Sequence, residues 1–240
     1  MNKLTKGCVA EFIGTFALCF FGCGSIVMTS GMAGGAGSLI TVALAHGFVL
    51  AVFISGTMYI SGGQLNPAVA VGVAVAGKQP WSQAGAFIVT QCIAGACGVG
   101  MMVFLLGQSP AMVSAMESVN HGATLGAFSI GNEALGITPS VIAVLGLEAL
   151  MTFALVFVVL TTAVDDRAHK LGGVCIGLTV AIGIVAFGPM TGASMNPARS
   201  LGPAFYGHWE MQWVYWVAPI GGAALAGFVY RGVWANAEDS

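Results

Sequence analysis

Long apolar runs along the chain alternate with short polar or glycine-rich breaks. Six runs have the length a helix needs to cross a bilayer, roughly 17–25 residues. They lie at about 8–28, 39–60, 83–106, 140–164, 171–187 and 212–233. Two further apolar pieces, 66–76 and 196–205, are too short to span; each follows a glycine-containing turn and opens on Asn-Pro. Such pieces read as half-helices that enter the membrane from opposite sides. The pattern predicts an all-α membrane protein with six transmembrane helices and two re-entrant half-helices.

The pattern also repeats. Glu11-Phe-Ile-Gly-Thr15-Phe16 returns 137 positions later as Glu148-Ala-Leu-Met-Thr152-Phe153. Ser61-Gly62-Gly63-Gln64-Leu65-Asn66-Pro67-Ala68 returns 130 positions later as Thr191-Gly192-Ala193-Ser194-Met195-Asn196-Pro197-Ala198. Each half then holds three spans and one half-helix. Three is odd, so the second half inserts upside down relative to the first, and functional sites lie where such inverted repeats meet. The expected organisation is one channel-like domain over residues 1–240. Its repeats cover about 1–106 and 138–240, joined by an outer loop at 107–137.

Composition supports bilayer residence. Of 240 residues, 57% are hydrophobic and only 7% charged, against about a quarter charged in a soluble domain. The 36 glycines suit helices that pack through small residues. A net charge of −2, without a basic patch, gives no sign of a nucleic-acid partner. Placing the N-terminus in the cytoplasm puts Lys3, Lys6, Lys78, Arg167, Lys170 and Arg231 on that side. The opposite loops, around 31–38, 107–138 and 206–211, then carry no Lys or Arg, a positive-inside pattern. Both termini are expected to be cytoplasmic, in a multi-pass protein of the cell membrane. Arg199 is the one basic residue left at membrane depth. The six cysteines (Cys8, Cys19, Cys23, Cys92, Cys97 and Cys175) fall in apolar stretches without metal-type spacing and read as buried free thiols. No cofactor or metal is called for.

Each Asn-Pro-Ala has the chemistry of a helix start. Proline suits the first helical position, where its missing N–H would be unpaired in any case. Asparagine is a favoured N-cap, accepting a backbone N–H and leaving its NH₂ to donate. Two such caps meeting mid-membrane would offer donors to one water oxygen. The two positive helix ends would oppose a proton moving along a water file.

These paired motifs, the repeated Glu-x-x-x-Thr-Phe element and Asn196-Pro-Ala-Arg199-Ser-Leu-Gly-Pro203-Ala resemble the aquaporin (major intrinsic protein) family over essentially the whole chain. The resemblance implies an hourglass fold, a separate pore in each protomer and a homotetramer. It implies a passive channel for water and other small neutral solutes, ammonia among them, that excludes protons and ions, with no enzymatic activity. It places Arg199 in the outer constriction with His46, Ile184 and Ala193, a combination similar to plant tonoplast intrinsic proteins. It gives Glu11 and Glu148 a structural role, accepting backbone N–H groups of the re-entrant loops. The carbonyls of Gly62, Gly63, Gln64 and Leu65, and of Gly192, Ala193, Ser194 and Met195, would then line the pore. Ser200, Ala204 and Tyr215-Trp216 match water-type rather than glycerol-type members. A glycerol or urea facilitator remains the alternative. A coupled secondary transporter stands further off, because Glu11 and Glu148 are the only span carboxylates that could build an ion site.

Overall fold

The computed structural model describes residues 1–31, 39–124, 139–168 and 171–235, and these form helices joined by short connections. In chain order the α-helices are α1 Lys3–Ile26, α2 Leu39–Ser61, α3 Pro67–Val75, α4 Trp81–Leu106, α5 Pro110–Ser118, α6 Val141–Val159, α7 Gly172–Thr191, α8 Pro197–Ala204 and α9 Val214–Val229. Helices α1, α6 and α9 each continue into a wider, π-type turn, at Val27–Gly31, Leu160–Val164 and Tyr230–Trp234. Among the described residues five helical segments are long and apolar enough to cross a membrane. The sixth expected span is α9, whose 16 α-helical residues reach spanning length with the five-residue turn that follows. Lys170 and the expected polar loops at 32–38 and 125–138 lie outside the described residues. Within the expected connecting loop the structure adds α5, which the apolar pattern did not predict.

Packing follows the repeat. Helix α1 packs on α4 as α6 packs on α9, and α1 on α2 as α6 on α7; α3 rests on α9 as α8 rests on α4. The α2–α7 pair joins the two halves. Small residues permit this closeness. At Gly47 an added Cβ would stand 2.8 Å from the Gly177 carbonyl oxygen, and one at Gly177 would fall against the Gly47 carbonyl oxygen. The small residues of the final span, Gly222 and Gly227, press on Ala149 of α6 and Gly72 of α3, so this contact lies within the protomer. In a bilayer, where lipid tails compete equally for apolar surface, such backbone approach drives association.

The helix exteriors are strongly apolar: Phe48, Val52, Ile142, Leu150, Ile182 and Phe228 are all more than half exposed. Water would penalise that surface, whereas hydrocarbon accepts it. The thiols are free. Only Cys19 and Cys23 are buried, while Cys97 is exposed and Cys8, Cys92 and Cys175 are partly so, which corrects the expectation of six buried thiols. Spacing placed them in apolar helices but not on a particular face.

At one end of the molecule Arg167 pairs with Asp165 and donates to the Trp234 carbonyl at 2.8 Å. Tyr230 donates to Asp165 at 3.0 Å, and Lys78 lies 6.0 Å from the Tyr230 ring centre. Arg167 and Lys78 therefore gather around Asp165 and Tyr230 at this end. The Arg167 guanidinium holds the Asp165 carboxyl below the usual carboxylate range.

Candidate functional site: a narrow passage between the two half-helices

The half-helices begin where the sequence motif places them. Asn66 caps α3 by accepting from the Ala68 N–H at 2.8 Å. Asn196 caps α8 by accepting from Ala198 and Arg199. Proline occupies the first turn of each. The two caps also cross: Asn66 Nδ2 donates to the Met195 carbonyl at 2.8 Å, and Asn196 Nδ2 to the Leu65 carbonyl at 2.9 Å. Each asparagine NH₂ does donate, as the capping geometry leaves it to, but its first partner is a carbonyl of the opposite loop. One N–H of each amide is committed to the opposite loop, and each NH₂ carries two. Likewise the Leu65 and Met195 carbonyls each already hold one donor.

Each loop reaches its cap through matched left-handed residues. Gly62, Gly63 and Leu65 have φ of 94°, 59° and 50°, while Gly192, Ala193 and Met195 have 81°, 43° and 52°. This backbone cannot satisfy itself, so a buried carboxylate does. Glu11 accepts from Ser61 Oγ, the Gln64 and Leu65 N–H groups and Gln91 Nε2. Glu148 accepts from Thr191 Oγ1 and the Ser194 and Met195 N–H groups. Both carboxylates are fully buried.

Arg199, on the first turn of α8 and 4% exposed, is held from two directions. Its Nη1 donates to the Gly122 carbonyl at 2.7 Å, and its Nη2 lies 3.4 Å from His46 Nε2. His46 Nδ1 lies 2.9 Å from the Val42 carbonyl, which can only accept. The Nδ1–H tautomer is therefore assigned, with the Nε2 lone pair turned to the guanidinium. Gly22 makes room for this ring, since a Cβ there would stand 2.6 Å from His46 Nε2.

His46, Ala193 and Arg199 line a narrow cavity together with Gln64, Asn66, Ser194 and Asn196 and with apolar side chains that include Leu50, Ile54, Val69 and Val180. Its open volume is about 20 Å³, close to the roughly 10–15 Å³ that one water requires. The fourth expected filter residue, Ile184, is buried one turn beyond Val180 on α7 and is not among the residues lining this cavity.

Sequence reasoning missed several partners. The Gly122 carbonyl comes from the turn after α5, where Asn120, His121 and Gly122 are all left-handed. Gln64 is pinned by Gln79 through reciprocal amide bonds of 2.8 and 3.2 Å. Ser194, Ser200 and Thr124 form a hydroxyl chain with contacts of 2.5 and 2.9 Å. Gln91 offers no signal beyond being one of a few polar residues in its span.

Two half-helices whose caps meet beside a cavity of about 20 Å³, room for about one water, are the arrangement of a membrane channel. The model of the family described as "Major intrinsic protein" matches residues 1–230. "Aquaporin TIP4-4" of Zea mays is 39% identical, over 95% of this chain and 88% of its own length. "Aquaporin TIP1-2" of Zea mays is 41% identical, over 94% and 84%. The aquaglyceroporin of Plasmodium falciparum superposes with a TM-score of 0.79 over 97% of both chains; at 22% identity that likeness speaks for the fold alone. The chain belongs to the major intrinsic protein family, an integral, multi-pass membrane protein of a channel family rather than an enzyme.

Proposed function

We propose that the chain is a passive water channel that also passes ammonia or other small neutral solutes and excludes protons and ions. The observation that carries this reading is the passage of about 20 Å³ closed around Asn66, Asn196, His46 and Arg199. Water is small enough for it, and the cap amides and the guanidinium supply donors. The apolar side chains of the lining leave a permeating water few competing partners, so it passes without being trapped. Arg199 and the two helix N-termini place positive charge along the file, which opposes cations and protons. The relatives named above carry the name aquaporin, which agrees with this reading.

In this reading the whole chain is one channel domain whose repeats flank the outer connection at 107–137. Ile184 completes the filter, and the carbonyls of Gly62, Gly63, Gln64, Gly192, Ala193 and Ser194 extend the ladder of acceptors. Four protomers assemble through the exposed apolar faces. Both termini lie in the cytoplasm, and the protein sits in the cell membrane.

The test is stopped-flow shrinking of proteoliposomes under an impermeant osmolyte, with parallel glycerol, urea and ammonia gradients. Fast shrinking with little glycerol flux is the expected result. Shrinking no faster than that of empty vesicles, together with rapid glycerol or urea entry, would replace water channel by solute facilitator. Ile184→His is expected to lower the ratio of ammonia to water flux, and an unchanged ratio removes Ile184 from the filter.

A further inference from the structure

The Arg199 end of the passage carries a pair of histidines that the channel reading leaves unused. His121, in the left-handed turn after α5, and His208, in the connection after α8, come from segments 87 residues apart. His121 Nδ1 faces His208 Nε2 at 3.4 Å, and the ring centres are 5.6 Å apart. His121 also stacks on Tyr206 at 5.1 Å with the planes 23° apart, which fixes its ring. Burial, and for His121 the neighbouring His208, hold both imidazoles below their usual range, against the smaller opposing pull of Glu117 on His121 and Glu210 on His208. Both carboxylates are exposed and both histidines only partly buried, so solvent reaches the pair.

The separation is informative. Zinc–imidazole bonds of about 2.0–2.1 Å at a tetrahedral angle put the two nitrogens about 3.3–3.4 Å apart. A square-planar ion with bonds of similar length would need them near 2.8–3.0 Å. A neutral imidazole pair can also share one proton, but at 3.4 Å that bond is long and weak.

We propose that His121 and His208 form a two-imidazole site for a tetrahedral divalent ion of the zinc class, and that its occupation slows permeation. Water completes the coordination, and the charges of Glu117 and Glu210 favour the bound cation. The coupling is structural. His121 adjoins Gly122, whose carbonyl holds Arg199 at 2.7 Å, so an ion tying His121 to His208 fixes the segment that positions the guanidinium. A non-glycine residue in the left-handed region, as at Asn120 and His121 with φ of 49° and 54°, costs energy that the surroundings must offset. The turn is therefore a specific arrangement.

The test uses zinc chloride alone on the purified full chain at neutral pH. Calorimetry is expected to show one saturable zinc per protomer. Cobalt in its place should give the visible absorption of a tetrahedral centre. His208→Gln and His121→Asn should each weaken binding by about tenfold or more; asparagine tolerates the left-handed backbone, so the turn survives. In proteoliposomes with zinc on both faces, osmotic shrinking should slow, recover with chelator, and be insensitive to zinc in either variant. Absence of saturable binding, or binding that survives both substitutions, would overturn the site. Site binding with no change in the zinc-treated flux would overturn its coupling to permeation. Binding is read without any flux, so its failure stands apart from failure of the water-channel reading.

Discussion

The first re-entrant loop hangs from Glu11 by Ser61, Gln64, Leu65 and Gln91; the second hangs from Glu148 by Thr191, Ser194 and Met195. Left-handed residues recur at the same three positions, and Gln79 and Gln212 reach equivalent carbonyls, of Ala70 and Ser200, at 2.8 and 2.9 Å. The halves part company at the pore wall. Where α3 carries Val69, α8 carries Arg199; where the first loop sets Gln64 against Gln79, the second sets Ser194 into a hydroxyl chain. The shared bonds build the frame. The unshared side chains differentiate what each half brings to the cavity: Val69 and the Gln64 amide from the first, the Arg199 cation from the second.

Removing a frame carboxylate should have the largest effect. Glu11→Ala and Glu148→Ala each leave buried loop donors without an acceptor, at about 1–3 kcal/mol per group. Both variants should lose most of their thermal stability in detergent. Glu11→Ala should lose more, because four donors rather than three converge there. Equal losses would mean that the Gln91 bond contributes nothing.

Arg199→Val erases the main asymmetry by giving the second half the residue of the first. Cation leak and glycerol entry into vesicles should rise several-fold above those of the parent. Unchanged permeability ratios would move the constriction elsewhere.

Gly63→Ala gives the first loop the residue the second carries at Ala193. Its Cβ would stand 3.1 Å from the Ile54 carbonyl oxygen at a φ of 59°, and should cost about 1–2 kcal/mol. The reverse change, Ala193→Gly, should stay within about 1 kcal/mol of the parent. Thermal unfolding distinguishes the two, and a Gly63→Ala cost no larger than that of Ala193→Gly would show that neither crowding by Ile54 nor the left-handed backbone penalises a Cβ at position 63.

Gln91→Leu should be the mildest, at about 1 kcal/mol. Gln91 Oε1 has no partner among the described residues, so the substitution also removes an unsatisfied acceptor. A drop near that of Glu11→Ala would show that Gln91 orders the whole loop.

Much of this frame was legible in the sequence because it rests on local rules. Apolar run length gave the spans and Asn-Pro-Ala gave the caps of α3 and α8, while the role of the repeated Glu11 and Glu148 as loop acceptors came from the family resemblance rather than from the pattern itself. What escaped was set by distant contacts without periodicity. The Gly122 carbonyl meets Arg199 across 77 residues and Gln91 meets Glu11 across 80. A single carbonyl or a lone glutamine leaves no pattern. Helix α5 was hidden because nine residues (Pro110–Ser118) with only two fully buried side chains show too little apolar face to stand out from a loop. The acceptors of the asparagine amides escaped for a related reason: each lies on the opposite repeat.

That crossing has a consequence for how the protein is made. Synthesis delivers Asn66 and Leu65 to the membrane long before Asn196 and Met195. A chain holding only the first half has no partner for that amide or that carbonyl in a medium where lipid offers none. The centre therefore closes late and in one event, when both caps are present to exchange their bonds. A polypeptide stopped before its second loop therefore leaves the Asn66 amide and the Leu65 carbonyl without the partners they hold in the finished protein.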